Sequence, residues 1–301
     1  MKPPSTPRNG FSLFALFWLA ALLAVTTYAA QASSSPRIGS ETADVLSLGG
    51  AVTEIVVALD QGHRLLGRDS TSSYPPGVRD LPDVGYVRAL SPEGVLSVGP
   101  ALILSEEGAG PPEAIEVIRA ADVDFVTVPD GATVEGILRK IAVVGDALGV
   151  PQRAADLARA VEHDLRRATA DADRPETEKK RVMFVISTEG GKINASGTGT
   201  AADALIRLSG GINAVTGYQG YKQITDEAVG LAAPDVILMM DRDGDHAIAD
   251  DTLFSMPSIK LTPAAQSRAV IRMDGLLMLG FGPRTAEAIE RLNAALYGDG
   301  A

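Results

Sequence analysis

Two stretches, set side by side, decide the fold: SPEGVLSVGPALIL at residues 91–104 and TDEAVGLAAPDVIL at residues 225–238. Glu93 falls on Glu227, Val95 on Val229 and Pro100 on Pro234, and both stretches end on Ile-Leu. Upstream of each, GAVTEIVVAL at 50–59 resembles GTAADALIRL at 199–208. A unit met twice in one chain predicts two lobes of common design. The competing reading is chance agreement between apolar strands.

Around these blocks, short apolar runs alternate with helical patterns. ADVLSLG, ALILSEEG and DFVTVPD read as strands, and AVTEIVVALDQG and PPEAIEVIRAAD as helices. Past residue 180, RVMFVIST and PDVILMM read as strands, and TAADALIRLSGG and TAEAIERLNAAL as helices. This alternation predicts an α/β fold of mostly parallel sheets flanked by helices. Between the units, the helical pattern of TVEGILRKIAVVGDALG runs on into PQRAADLARAVEHDLRRATADAD. There Ala154, Leu157, Ala158, Val161, Leu165 and Ala168 share one face, and Pro151 suits a first-turn position. The expected organisation is a lobe at 37–145, a connecting long helix at 146–175 and a lobe at 178–301. One helix as connector predicts little hinge motion. A ligand cleft is expected between the lobes, outside the carboxyl ends of their strands.

Lys2 and Arg8 precede the apolar run FSLFALFWLAALLAV, and small residues follow, with Ala30 and Ala32 in A-x-A spacing. Residues 1–32 therefore read as a secretory signal peptide, cleaved near Ala32; a membrane anchor is the alternative. With no cysteine in the chain, disulfides, thiol nucleophiles and thiolate-held metals are excluded. Export into the periplasm is the expectation. The net charge of −11 falls to about −13 once Lys2 and Arg8 leave with the signal. So acidic a chain disfavours nucleic acid as a partner. An anionic ligand would have to be held by local cations.

The stretch DVGYVRALSPEG, residues 83–94, places Tyr86 and Arg88 two apart in a loop before a helix start. A loop tyrosine is most often a packing residue with its hydroxyl in water. Ionised, a phenol also ligates ferric iron, and a neighbouring cation favours the ionised form. In an extended segment residues i and i+2 point the same way, which would aim Arg88 at the phenol oxygen. A surface cation, or a partner for Glu93, is the plainer reading of Arg88. In the second unit GYQGYKQITDEA holds Tyr218, Tyr221 and Lys222 just before the repeated block, so the two loops are expected to face each other. His63, His163 and His246 lack metal-site spacing. Gly197, Gly199 and Ala202 match G-x-G-x-x-A. The strand before them is expected to end near Thr188, too early for a dinucleotide site, so a helix start capped by Thr198 or Thr200 is the commoner explanation. Without a catalytic motif or paired carboxylates, no enzyme is expected.

These residues resemble a known family: periplasmic haem-binding proteins that deliver haem to an ABC-type importer. The likeness covers nearly all of the chain past the signal. It is carried by LGGAVTEIVVAL (48–59), LLGRDSTSSYP (65–75), LPDVGYVRALSPEGVLSVGPALIL (81–104), GTGTAADALIRLSGG (197–211), GYKQITDEAV (220–229) and MDGLLMLGFGPRT (273–285). The resemblance implies two similar lobes joined by one long rigid helix. It implies Tyr86 as the axial ligand to the iron of ferric haem b, the transported ligand, with Arg88 supporting the phenolate. Arg242 matches the family's second-lobe arginine, in a loop more acidic than usual. Lys222 and Tyr221 are further candidates toward the propionates, and Arg68 and Tyr74 toward the mouth of the cleft. Some relatives stack two haems with a histidine from the first strand of the second lobe. RVMFVISTEGGK has none, so one haem per monomer is expected. Docking on the inner-membrane ABC permease through one acid per lobe points to Glu113 and, in the cluster Asp243, Asp245, Asp250 and Asp251, to Asp245. Cobalamin or a ferric siderophore on the same fold, and a nucleotide-dependent periplasmic enzyme, are the alternatives.

Overall fold

The computed structural model describes residues 37–241 and 248–298, with Met1. The segment read as a secretory signal and the acidic stretch with Arg242, Asp243, Asp245 and His246 lie outside the described residues. In chain order the first half runs β1 (Val45–Leu48), α1 (Gly50–Ala58), β2 (Leu65–Arg68), α2 (Pro92–Ser97), β3 (Leu102–Glu106), α3 (Pro112–Arg119) and β4 (Asp124–Val128). Helices α4 (Val134–Ala147) and α5 (Pro151–Ala172) follow. The second half runs β5 (Arg181–Ser187), β6 (Ile193–Ser196), α6 (Ala201–Leu208), β7 (Ile212–Asn213), β8 (Tyr221–Ile224), α7 (Asp226–Ala232), β9 (Val236–Met240), α8 (Asp250–Ser255), α9 (Pro263–Ser267), β10 (Val270–Met273), α10 (Gly275–Leu279) and α11 (Thr285–Tyr297).

Strands β1–β4 form one all-parallel sheet in the order β2-β1-β3-β4. Full burial of β1 and near-full burial of β3 explain their unbroken apolar runs, since such strands are covered on both faces. The second sheet is mixed, in the order β10-β9-β5-β6-β8, with β7 pairing β5. Its β10, β9 and β5 are parallel, and β6 runs antiparallel to both its neighbours. The α/β architecture with two helix-flanked sheets is the one the sequence implies.

The repeated block is one structural unit used twice. Ser91 caps α2 by accepting from the Gly94 N–H, and Thr225 caps α7 by accepting from the Ala228 N–H. Val95 and Val229 are fully buried on the same turn. Pro100 and Pro234 then precede β3 and β9.

Helix α5 spans about 33 Å at the usual rise per residue. Its apolar stripe of Ala154, Val161, Leu165, Ala168 and Ala172 is buried. The stripe belongs to one cluster that also holds Val45, Ile55 and Leu104 beside the first sheet and Val182, Phe184, Leu238 and Leu292 beside the second. Ion pairs tie its two ends: Arg153 to Asp60 at 3.2 Å, and Arg167 to Glu290 at 3.1 Å.

Gly145 sets how closely α4 and α5 approach. A methyl group there would lie 2.2 Å from the Ala154 methyl. Alanine is the better helix former by about 1 kcal/mol, yet the overlap outweighs that gain. Gly145→Ala is expected to lower unfolding free energy by about 1–3 kcal/mol in urea titrations; an unchanged or higher midpoint would contradict this contact.

Candidate functional site

The site begins where β2 ends. Arg68 pairs with Asp83, which brings the returning chain alongside β2. The Ser70 N–H donates to the Gly85 carbonyl at 2.9 Å, and the Gly85 N–H donates to the Asp83 carboxylate at 2.9 Å. Gly85 adopts φ +103°, open to glycine and strained for other residues. The guanidinium of Arg68 donates to the carbonyls of Val78, Asp69 and Arg79 and pairs with Asp83 at 3.0 Å. Arg68 thus braces the loop that carries Tyr86. Tyr86 itself sits on the carboxyl edge of the first sheet, 52% exposed. Among the described residues its hydroxyl has no hydrogen-bond partner.

Residues 86–89 form a turn closed by the Ala89 N–H donating to the Tyr86 carbonyl at 2.7 Å, with Val87 buried between. The extended geometry expected from the i, i+2 spacing is therefore absent. Arg88 reaches neither the Tyr86 hydroxyl nor Glu93. Its Nη2 lies 3.2 Å from Glu106 Oε1, and its Nη1 donates to the Gly108 carbonyl.

Glu106 closes β3 and faces Gly49, where a methyl group would lie 2.5 Å from its carboxylate oxygen. Gly49 takes φ +116°, and its N–H donates to the fully buried Asp69 at 2.9 Å. Asp69 also accepts from Ser72 and from the Thr71 N–H and hydroxyl, so both of its carboxylate oxygens are hydrogen-bonded. Burial pushes the Glu106 carboxyl up to about 7, against the pull of Arg88 and with the push of Asp69 and Asp130. Burial also works against ionisation of Asp130, but buried Lys140 at 2.9 Å outweighs it and holds this carboxyl below its ordinary value.

The carboxyl edges of the two sheets meet across this region. Lys140 donates to the Gly280 carbonyl at 3.3 Å. Gly50, opening α1, lies against Leu276 of α10, where a methyl group would come within 2.4 Å of the leucine Cδ1. Glu54, 6% exposed, pairs with Arg284. The guanidinium of Arg284 also stacks 3.5 Å from the centroid of the Tyr74 ring. Tyr74, expected at the mouth of a ligand cleft, is thus partnered across the lobe junction. Burial raises the Glu54 carboxyl, and the hydrogen bond from Arg284 opposes that shift.

In the second lobe the stretch around Tyr221 is a strand, where a loop facing Tyr86 is the sequence-based expectation. β8 is an exposed edge strand, and YKQI lacks the alternation that would have marked it. Successive side chains on a strand point to opposite faces. Tyr221 accordingly meets Phe184 edge-on at 6.3 Å, while the ammonium of Lys222 lies 5.2 Å from the Tyr218 ring centroid. Tyr221 and Lys222 do not form one pair. Burial raises the Tyr221 phenol above its ordinary value, so it stays a neutral donor near neutral pH. Tyr218 donates to the Ala195 carbonyl at 2.9 Å.

The G-x-G-x-x-A segment follows β6, a strand hidden from sequence reading by its mixed residues INAS. The helix after it is already filled. Thr200 accepts from the Asp203 N–H, and the buried Asp203 carboxylate accepts from the Gly199 N–H at 3.0 Å. That is a cap, as Thr200 suggested, and the carboxylate stands where a phosphate would bind. Of the acidic cluster, Asp250 pairs with Arg272 at 2.7 Å and Asp251 with Arg268 at 2.6 Å. Arg242, Asp245 and His246 are outside the described residues. Glu113 is exposed on the first turn of α3. His163 is exposed on α5, and no group of three or more metal-ligating side chains occurs among the described residues.

With this geometry in place, comparison with known proteins adds the lineage. Residues 45–276 match the model of the periplasmic binding protein family. The chain belongs to that family. Among solved members, the periplasmic heme-binding protein RhuT from Roseiflexus sp. RS-1, in apo form, is 38% identical with a TM-score of 0.81, over 85% of this chain and 98% of that one. The periplasmic heme-binding protein BhuT, in complex with two hemes, is 38% identical with a TM-score of 0.79, over 84% and 97%. A vitamin B12-binding protein of Vibrio cholerae is 24% identical over 82% of this chain and 87% of its own length. Periplasmic binding proteins of this kind serve ABC importers, and the carboxyl edges described above are where such a fold places its ligand.

Sequence reading missed Glu106, Glu54, Lys140 and Arg284. Glu54 carries a signal, being a lone charge in the apolar run AVTEIVVAL. Arg284 lies within GFGPRT, but its partner is 230 residues away. Removing Arg284 leaves Glu54 buried and uncompensated. Arg284→Met is expected to cost about 3–5 kcal/mol in urea unfolding. Glu54→Gln/Arg284→Met should recover much of that loss; equal losses in both proteins would show that the pair does not carry the junction.

Proposed function

We propose that this periplasmic binding protein captures one ferric haem between its lobes, with the Tyr86 phenolate as axial iron ligand, and hands it to an inner-membrane ABC permease. In this reading residues 1–32 direct export and are removed, residues 37–145 and 178–301 are the lobes, and residues 146–175 join them. The mature protein works as a monomer in the periplasm and catalyses no reaction. The observation that carries the reading is a half-exposed phenol on the carboxyl edge of the first sheet, with no competing hydrogen bond among the described residues. The likeness to solved haem-binding proteins at 38% identity supports it.

The chemistry is simple. A phenolate gives trivalent iron a hard anionic oxygen. Burial of the macrocycle's faces contributes roughly 25 cal/mol per Å² of apolar surface. The propionates need cations that the acidic chain does not supply globally, and Arg88, Lys222 and Arg242 are the candidates. Glu113 and Asp245 are the acids offered to permease arginines.

Relatives named for vitamin B12 give the second reading, cobalamin on the same scaffold. Hemin titration of the mature protein, followed by absorption, separates the two. One equivalent is expected to give a ferric tyrosinate spectrum, with no heat on adding cobalamin. Tyr86→Phe, which keeps the ring, should lose that spectrum and weaken binding more than about 100-fold, beyond what loss of a supporting residue costs. An unchanged spectrum in Tyr86→Phe would remove Tyr86 as ligand; cobalamin heat without hemin binding would replace the reading.

A further inference from the structure

Arg88 is the one cation within two residues of Tyr86, yet it is turned away from the phenol. Both ends of its guanidinium are engaged, one by Glu106 and one by the Gly108 carbonyl. Glu106 is the less exposed partner, 25% against 48% for Arg88. Its carboxylate is packed against Gly49, whose own N–H is held by buried Asp69. The arginine, its side chain about half exposed, is therefore the partner freer to move.

We infer that Glu106 is a positioning residue that holds Arg88 in reserve, so that haem capture requires the guanidinium to leave Glu106 for the phenolate or a propionate. The inference rests on the haem reading above. It assigns to Glu106 a role opposite to that of a supporting residue: its charge competes with the ligand for the cation. Every charged group facing Glu106 bears on this competition. Arg88 and Lys140 favour its ionised form, and Asp69 on the β2 loop and Asp130 after β4 oppose it. Lys140 is bound to Asp130 and the Gly280 carbonyl, so it does not replace Arg88 as partner.

The competition has a direction with pH. Glu106 loses its proton near neutrality, at about 7. Below that the neutral carboxyl releases Arg88, and above it the carboxylate retains it. The Arg88 contribution to haem binding therefore fades as pH rises through neutrality.

The test compares wild type, Glu106→Gln and Glu106→Gln/Arg88→Gln. Hemin affinity is measured from pH 5.5 to 8.5. Glu106→Gln is expected to bind hemin about tenfold more tightly than wild type at pH 8.5, the worth of one charge-assisted hydrogen bond, and about equally at pH 5.5. The double variant should lose this gain. A second readout needs no hemin. In apo wild type at pH 8, restricted guanidinium rotation should give resolved Arg88 Nη–H signals in nitrogen-15 spectra, and these should collapse in Glu106→Gln. Weaker hemin binding in Glu106→Gln, or a ratio flat with pH, would overturn the inference while leaving the haem reading intact. Failure of wild type to bind hemin, with the Arg88 signals behaving as described, would overturn the reading and leave the ion pair.

Discussion

Everything in this molecule depends on the buried stripe of α5. Ala154, Val161, Leu165, Ala168 and Ala172 sit in an apolar cluster that touches the helices of both sheets. A connector of extended strands would bury little and would let two lobes swing. Here a swing would expose a continuous core, at roughly 25 cal/mol for each Å² of apolar surface. The carboxyl edges are therefore held opposite one another before any ligand arrives. The ion pair of Glu54 and Arg284, with Tyr74 stacked on it, fastens the same arrangement from the other side.

Charge is distributed to suit. The chain is strongly acidic, yet the carboxyl edges collect its acids into satisfied positions. Asp69 is held by loop donors, Asp130 by Lys140, Glu54 by Arg284 and Glu106 by Arg88. Each of these carboxylates is matched, and for buried Asp69 and Glu54 burial demands it. A consequence is that the nearest cations are already spoken for. An anionic ligand has to compete for them.

Much of the fold was legible in the sequence because it is written locally. Apolar runs at β1, β3, β5 and β9, the repeated cap-helix-strand block and the 3.6-residue stripe of α5 all declare themselves within some twenty residues. β2, β6, β8 and β10 did not. They are four-residue strands of mixed polarity, and their pairing is decided by distant partners. The site shows the same division. Tyr86 could be singled out from its loop, but the turn at residues 86–89 and the pairing of Arg88 with Glu106, 18 residues on, could not. The opposition of Tyr221 and Lys222 became visible only once that segment was known to be a strand.

Gly50 and Leu276 bear on evolution as much as on mechanism. Where α1 starts, backbone meets leucine with no room for a single added carbon. An alanine at that point would press on the Leu276 methyl at 2.4 Å and on the Thr71 carbonyl at 2.9 Å, so one added carbon is felt on both sides of the junction. Drift at residue 50 would therefore register in both halves at once.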